Sequence, residues 1–200
     1  MSKEKFNILE STCVPLPLEN VDTDQIIPAR FLSATSREGF GDNLFRDWRY
    51  LKNGEKNSEF VLNNSRFSGK ILVAGKNFGS GSSREHAVWA IYDYGFRAVI
   101  SSFFADIFMG NSLNNGLLPI VVSEEFLKKL LELIQNDPSE KIKIDLEKQT
   151  LSILSAGDSV SFAINPYKKE CMINGLDDID FLLSMKDSIR SYENKNSLVK

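Results

Sequence analysis

The spacing of apolar residues changes along the chain, and each change marks an element. Residues 70–74 (KILVA), 98–102 (AVISS) and 117–122 (LLPIVV) are short, branched apolar runs that predict buried strands. Between the first two, residues 83–94 place Ala87, Ala90, Ile91 and Tyr94 on one side of a helix that Gly95 can end. Residues 104–115 predict a second helix, closed at Asn115-Gly116. Strand, helix, strand, helix, strand at this spacing implies an α/β core with parallel strands. Ser123 then caps a helix running to Asn136, with Glu124 and Glu125 at its positive end and Phe126, Leu127, Leu130, Leu131 and Ile134 in one stripe. Residues 141–146, 150–154 and 159–164 alternate with period two and predict antiparallel strands.

The remaining segments are less regular. Residues 6–15 read as one strand entering a Pro-punctuated loop. Residues 33–58 are mostly polar with weak periodicity, the pattern of a long functional loop. Residues 177–192 carry Ile179, Leu182, Leu183 and Ile189 and predict one amphipathic helix, with residues 193–200 as a frayed end. There is no internal repeat.

Composition narrows the classes of function. The 200 residues have a net charge of −3, so there is no strong basic field for nucleic acid. No apolar run reaches membrane-spanning length, and the N-terminus lacks a secretory pattern, which implies a cytoplasmic protein. Two cysteines, Cys13 and Cys171, and one histidine, His86, cannot supply a usual structural zinc site or an iron–sulfur cluster. Outside a secretory context the cysteines are expected as thiols, with a Cys13–Cys171 disulfide as the alternative.

The chemistry concentrates in residues 77–86, NFGSGSSREH. Gly79 and Gly81 permit close approach of a ligand to the backbone. The segment leads from a strand into a helix start, where free N–H groups favour an anion. Ser82, Ser83 and Arg84 add hydroxyls and a planar cationic fork. A rival reading is structural: Ser82 and Glu85 are spaced as a capping box. The segment lacks the lysine of a P-loop and the third glycine of a dinucleotide fingerprint. A second cluster, NVDTDQIIPARFL at residues 20–32, holds Asp22 and Asp24, suited either to turn and cap chemistry or to orienting a partner's side chain. Arg30, Arg37, Arg46 and Arg49 read individually as solvated surface residues, and one of them placed near the loop would make a second carboxylate clamp.

Three motifs in order, NVDTDQIIPARFL, GKNFGSGSSREHAVWAI and SFFADIFMGNSLNNGLLPI, resemble the small subunits of bacterial 3-isopropylmalate dehydratases in the aconitase superfamily. The likeness extends through REGFGDNLFRDWRYL and YKKECMINGLDDI. It implies an α/β, aconitase-type swivelling domain: a mixed β/α core with a partly antiparallel sheet over residues 1–175, and a C-terminal helical tail over 176–200. It implies a hydro-lyase of leucine biosynthesis that isomerises 2- and 3-isopropylmalate by dehydration and rehydration, active only with a large subunit that carries a [4Fe–4S] cluster. By the same resemblance Ser82 is the base and Asp24 a catalytic aspartate that organises a histidine of the large subunit. Arg84 binds a substrate carboxylate, Ser83 and Gly81 support it, and Arg37, then Arg30, is the second substrate arginine. Two alternatives stand beside this: a small subunit for a related diacid (homoaconitate or a methylmalate), or a non-enzymatic anion-binding module.

Overall fold

In a computed structural model of the chain, residues 4–33 and 37–196 are described. The central layer is a parallel sheet in the order β2-β3-β4-β5, formed by β2 (Cys13–Leu16), β3 (Ile71–Ala74), β4 (Ala98–Ser101) and β5 (Leu118–Val121). These strands read as unbroken apolar runs because both faces are covered. Ile71, Val73, Ala98, Ile100, Leu118 and Ile120 face one core, while Leu72, Ala74 and Val99 face the other.

The first core is closed by α5 (Glu124–Asn136) and by an antiparallel sheet in the order β1-β6-β7-β8. That sheet comprises β1 (Ile8–Ser11), β6 (Ile142–Asp145), β7 (Thr150–Ile153) and β8 (Ser159–Ser161). The Ser123 hydroxyl caps α5 by accepting from Phe126 N–H at 3.1 Å, as its position predicts. Phe126, Leu127, Leu130 and Ile134 are buried and Leu131 is half-buried against the same core.

The second core is closed by α3 (Glu85–Tyr94), α4 (Asp106–Asn114) and the connection between β2 and β3. That connection carries α1 (Thr23–Ile26) and α2 (Arg46–Arg49). Residues 34–36 of the expected long loop lie outside the described residues. The rest of the loop departs from expectation. Phe40, Leu44 and Phe45 are buried, and Arg49 is buried with Nη1 donating to the Gly41, Asp42 and Leu44 carbonyls at 3.2–3.4 Å. Its polar composition hid a few large apolar anchors. Gly41 N–H donates to Asp93 Oδ2 at 2.7 Å, which draws the segment onto the end of α3.

Three other elements correct the sequence reading. Residues 6–15 form two strands because the chain changes sheets near Thr12: β1 pairs antiparallel with β6, and β2 pairs parallel with β3. A helix absent from the reading, α6 (Pro166–Asn174), is capped by Asn165, whose side chain accepts from Tyr167 N–H and Lys168 N–H. The tail contains two helices, α7 (Asp178–Ser184) and α8 (Lys186–Asn196), with a break at Met185. Glu193–Asn196 are helical within α8 rather than frayed, and residues 197–200 of that expected end lie outside the described residues. The tail's apolar stripe is exposed, and α7 is tied to α6 by Tyr167, whose hydroxyl meets Asp178 at 2.6 Å and whose ring meets Phe181 edge-on. No helix among the described residues is long and apolar enough to cross a membrane.

The contact of residues 40–44 with α3 has a steric test. A Cβ at Gly41 would stand 2.4 Å from the Tyr94 backbone nitrogen. Gly41→Ala is expected to lower stability by about 1–3 kcal/mol, the usual range for overpacking. Urea unfolding of the purified chain measures this, and an unchanged midpoint would show that the segment is not seated on α3.

Candidate active site

In a parallel sheet the loops that leave the carboxyl ends of the strands gather on one edge, and ligand sites form there. Three such loops meet in this chain. The loop after β3 runs from Gly75 to Arg84, the loop after β2 leads into α1, and the loop after β4 leads into α4. Backbone bonds hold the middle one from both sides. On the α1 side, Gly79 and Ser80 N–H donate to Val21 O at 2.8 and 3.2 Å, and Thr23 N–H donates to Ser80 O at 2.9 Å. On the α4 side, Phe78 N–H donates to Phe103 O at 3.1 Å, and Ala105 N–H donates to Phe78 O at 3.3 Å. Gly79, at φ 77°, lets the loop lie against Phe108; a Cβ there would fall 2.2 Å from the Phe108 ring. An alanine would therefore have to push the loop off α4.

Between this loop and α4 lies a cleft of about 240 Å³. One wall is polar, with Thr23, Gly81, Ser82, Ser83 and Arg84, and the other is Ala105, Asp106, Ile107 and Phe108. Two helix starts border it. The N-cap residues of α3 and α4 are Arg84 and Ala105, and neither side chain caps its helix. First-turn N–H groups at both ends therefore add positive potential to the cleft. Asp106, in the first turn of α4, offsets part of that potential at the rim.

Arg84 is the cation within this wall, its side chain only 16% exposed. It pairs with Asp24, whose carboxylate is 54% exposed. The two aspartates of the second cluster thus divide the roles left open by the sequence. Asp22 forms a capping box with Gln25, accepting from its N–H at 2.8 Å while the Gln25 side chain accepts from Asp22 N–H at 2.9 Å. Asp24 instead reaches across to Arg84. Thr23, between them, was not singled out by sequence reasoning. It is 2% exposed, and its hydroxyl donates to the Ser82 carbonyl at 2.9 Å.

The capping-box reading of Ser82 is not what the structure shows. The helix begins at Glu85, with Arg84 as its N-cap. Thr23 holds the Ser82 carbonyl toward α1, and the Glu85 carboxylate accepts from Asn115 Nδ2 at 2.9 Å instead of turning back to Ser82. Ser82 and Ser83 are exposed at the cleft.

The candidate arginines separate. Arg30 is held in a two-pronged pair with Asp47, which keeps that carboxyl below its usual range. Arg37 lies at the first turn of α3: its Nη2 is 3.7 Å from Glu85 Oε1, and its guanidinium stacks 4.6 Å from the Trp89 ring centre. The structure thus brings together Asp24, Gly81, Ser82, Ser83 and Arg84, sets Arg37 beside the residue that follows Arg84, and engages Arg30 with Asp47. Arg49, another sequence candidate, is buried in the second core.

The family model of the aconitase C-terminal domain matches residues 3–125. The chain belongs to the aconitase C-terminal domain family. It is 64% identical over 96% of its length, and 94% of the other chain, to the 3-isopropylmalate dehydratase small subunit of Christiangramia forsetii. It is 60% identical, over 95% of its length and 94% of the other, to the protein of that name from Cytophaga hutchinsonii. The crystal structure of 3-isopropylmalate dehydratase from Methanocaldococcus jannaschii aligns with a TM-score of 0.66 at 27% identity, covering 93% of this chain and 99% of that one.

Among the described residues no three His, Cys, Asp or Glu side chains stand together as a metal site. Cys13 and Cys171 are free and buried, on β2 and α6. Burial pushes the Cys13 thiol far up, and two cysteines fall short of the usual thiolate set of an iron–sulfur cluster. This pair does not suit an iron–sulfur cluster.

Thr23→Val keeps the shape of the residue and removes its bond to Ser82. It is expected to destabilise the chain by about 1 kcal/mol and to speed amide exchange at Gly79 and Ser80, whose N–H groups are bonded to Val21 O in the same loop. Hydrogen exchange followed by mass spectrometry reads the second effect; unchanged protection would mean that Thr23 does not hold the loop.

Proposed function

We propose that the chain is the small subunit of a 3-isopropylmalate dehydratase, working at an active site that a large subunit completes. The observation that carries this reading is the placement of Ser82 and Arg84 together on a backbone-pinned loop between two helix starts, in a chain 64% identical to a named small subunit.

The reaction removes water from 2-isopropylmalate and adds it back with H and OH exchanged. Ser82 Oγ, as the alkoxide, takes the proton from the carbon next to a carboxylate. The hydroxyl leaves the neighbouring carbon as the C–H electron pair becomes the double bond of isopropylmaleate. Re-addition in the opposite sense, with Ser82 returning the proton, gives 3-isopropylmalate. An alkyl hydroxyl is a very weak acid, so the alkoxide needs preorganised positive potential in a site closed to water. The helix-start N–H groups and Arg84 supply it in this chain. A [4Fe–4S] cluster on the large subunit would supply a Lewis acid for the departing hydroxyl.

Arg84 can serve the substrate without releasing Asp24. A guanidinium has five donors in a planar fork, enough for one carboxylate on each of two edges. Asp24, half-exposed at the cleft edge, is placed to accept from an imidazole of the large subunit. Arg37 takes the second substrate carboxylate, with Ser83 and Gly81 as supporting donors.

The opposite wall favours a branched alkyl group over a third carboxylate. Ala105, Ile107 and Phe108 line it, and Ile107 is 55% exposed in this chain. Burying that side chain under an alkyl substituent is favourable, whereas a further anion would meet Asp106 there. This supports isopropylmalate over homoaconitate.

Two outcomes test the reading. The purified chain alone is expected to show no isopropylmalate turnover, and to gain it when mixed with a cluster-loaded large subunit. In that complex Ser82→Ala should lower kcat by roughly 10²–10⁴-fold while the melting temperature of the chain stays within a degree or two. Turnover by the chain alone would refute the shared site; a lowered melting temperature with kcat retained would return Ser82 to a structural role.

A further inference from the structure

A small network behind the first turn of α3 is not used by the chemistry above. Asn115, the C-cap of α4, is buried, and its amide is bonded in three directions. Its Nδ2 donates to Glu85 Oε1 at 2.9 Å and to Asn111 O at 2.8 Å, and its Oδ1 accepts from Trp89 Nε1 at 3.2 Å. An indole N–H only donates, so the amide oxygen must face Trp89 and the amide nitrogen must face Glu85. The orientation is forced by the partners.

Glu85 and Trp89 both also touch the Arg37 side chain. Glu85 Oε1, the atom held by Asn115, lies 3.7 Å from Arg37 Nη2. The Trp89 ring lies under the guanidinium at 4.6 Å, and its other neighbours are His86 at 4.5 Å and Phe40 at 6.3 Å. Residues 37–41 thus run along α3 with three anchors: Arg37 on Glu85 and Trp89, Phe40 on His86 and Trp89, and Gly41 on Asp93.

Arg37 needs such support. Its side chain is 57% exposed, and its pair with the 46% exposed Glu85 is loose. An exposed ion pair of this kind contributes little by itself and leaves a long side chain its rotamer freedom. A ring beneath the fork and a carboxylate fixed at one edge together restrict both the plane and the rotation of the guanidinium. Its remaining donors are then directed before a ligand arrives.

We infer that Asn115 is a positioning residue for substrate binding: through Glu85 and Trp89 it orients the Arg37 guanidinium toward a substrate carboxylate. The inference rests on the reading that Arg37 binds that carboxylate. Asn115 touches no substrate. It reduces the orientational freedom Arg37 loses on binding, so its effect falls on KM more than on kcat.

The test is a double-mutant cycle in the complete complex with a cluster-loaded large subunit, measuring kcat and KM for 2-isopropylmalate. Arg37→Ala should raise KM at least about ten-fold, and Asn115→Ala should raise it about five-fold with kcat within about two-fold. In the double variant Asn115→Ala should add nothing beyond Arg37→Ala, because its route is gone. Should Asn115→Ala fail to fold, Glu85→Gln, at an exposed position, replaces it in the same cycle, with KM expected to rise about three-fold only while Arg37 is present. If KM rises by the same factor with and without Arg37, the positioning role is overturned while Arg37 keeps its carboxylate. If Arg37→Ala leaves KM unchanged, the carboxylate reading of Arg37 fails and the positioning role falls with it.

Discussion

The site depends on the two-sided backbone clamp on residues 78–80. Val21 O and Thr23 N–H hold one side, and Phe103 O and Ala105 N–H hold the other. Beyond the carboxyl ends of the strands these bonds make two isolated parallel bridges, Asp22–Ser80 and Phe78–Phe104. The serine loop is therefore bonded on both sides to neighbouring backbone and is not a free connection. That matters for a hydroxyl expected to act as an anion. Stabilisation by N–H groups and a guanidinium is effective only when the donors are already aimed, since donors that must reorient lose much of what they contribute. Gly79 is the steric condition for the clamp, because a larger residue would meet Phe108 before the loop reached Phe103.

The clamp also explains why the helix starts late. Sequence spacing made Ser82 and Glu85 a good capping pair, and local spacing is all that such a motif records. Three interactions outside that window decide otherwise: Thr23 on the Ser82 carbonyl, Asp24 on Arg84, and Asn115 on Glu85. All join residues at least 30 positions apart. The parallel core was legible because period and length are local, as Ile71/Val73 against Leu72/Ala74 shows. The cap on α5 was legible for the same reason. The aspartates, serines and Arg84 could be named as candidates, but their division of labour could not.

The misses follow the same logic. Helix α6 buries only Cys171 and Met172, so its apolar stripe is too thin to register, although Asn165-Pro166 carried a start signal. Residues 37–50 looked like loop because polar residues outnumber the anchors, yet Phe40, Leu44 and Phe45 are buried. Phe45 even adopts φ 47°, in the left-handed region, with its N–H donating to Ile26 O at 2.8 Å. A bulky residue held in that region costs about 1–2 kcal/mol, which the burial of its ring offsets. The segment thus forms part of the second core and delivers Arg37 to α3.

Helix α4 connects these features. Its first turn forms the apolar wall of the cleft, Phe108 receives Gly79 from the serine loop, and its C-cap Asn115 holds Glu85 and Trp89. Helix α4 thereby braces the proposed base and the proposed second carboxylate site through their neighbours: Phe108 packs on Gly79, three residues before Ser82, and Asn115 bonds Glu85 and Trp89, which touch Arg37. A diacid substrate would require such a spacing: its two carboxylates are a set distance apart, and under the proposed mechanism the carbon that loses the proton has to lie over the proposed base when both are bound. A connection that did not seat Arg37 on α3 would leave that spacing free to vary. Because α4 braces the serine loop at its start and α3 at Glu85 and Trp89, the spacing is a property of this chain's own packing.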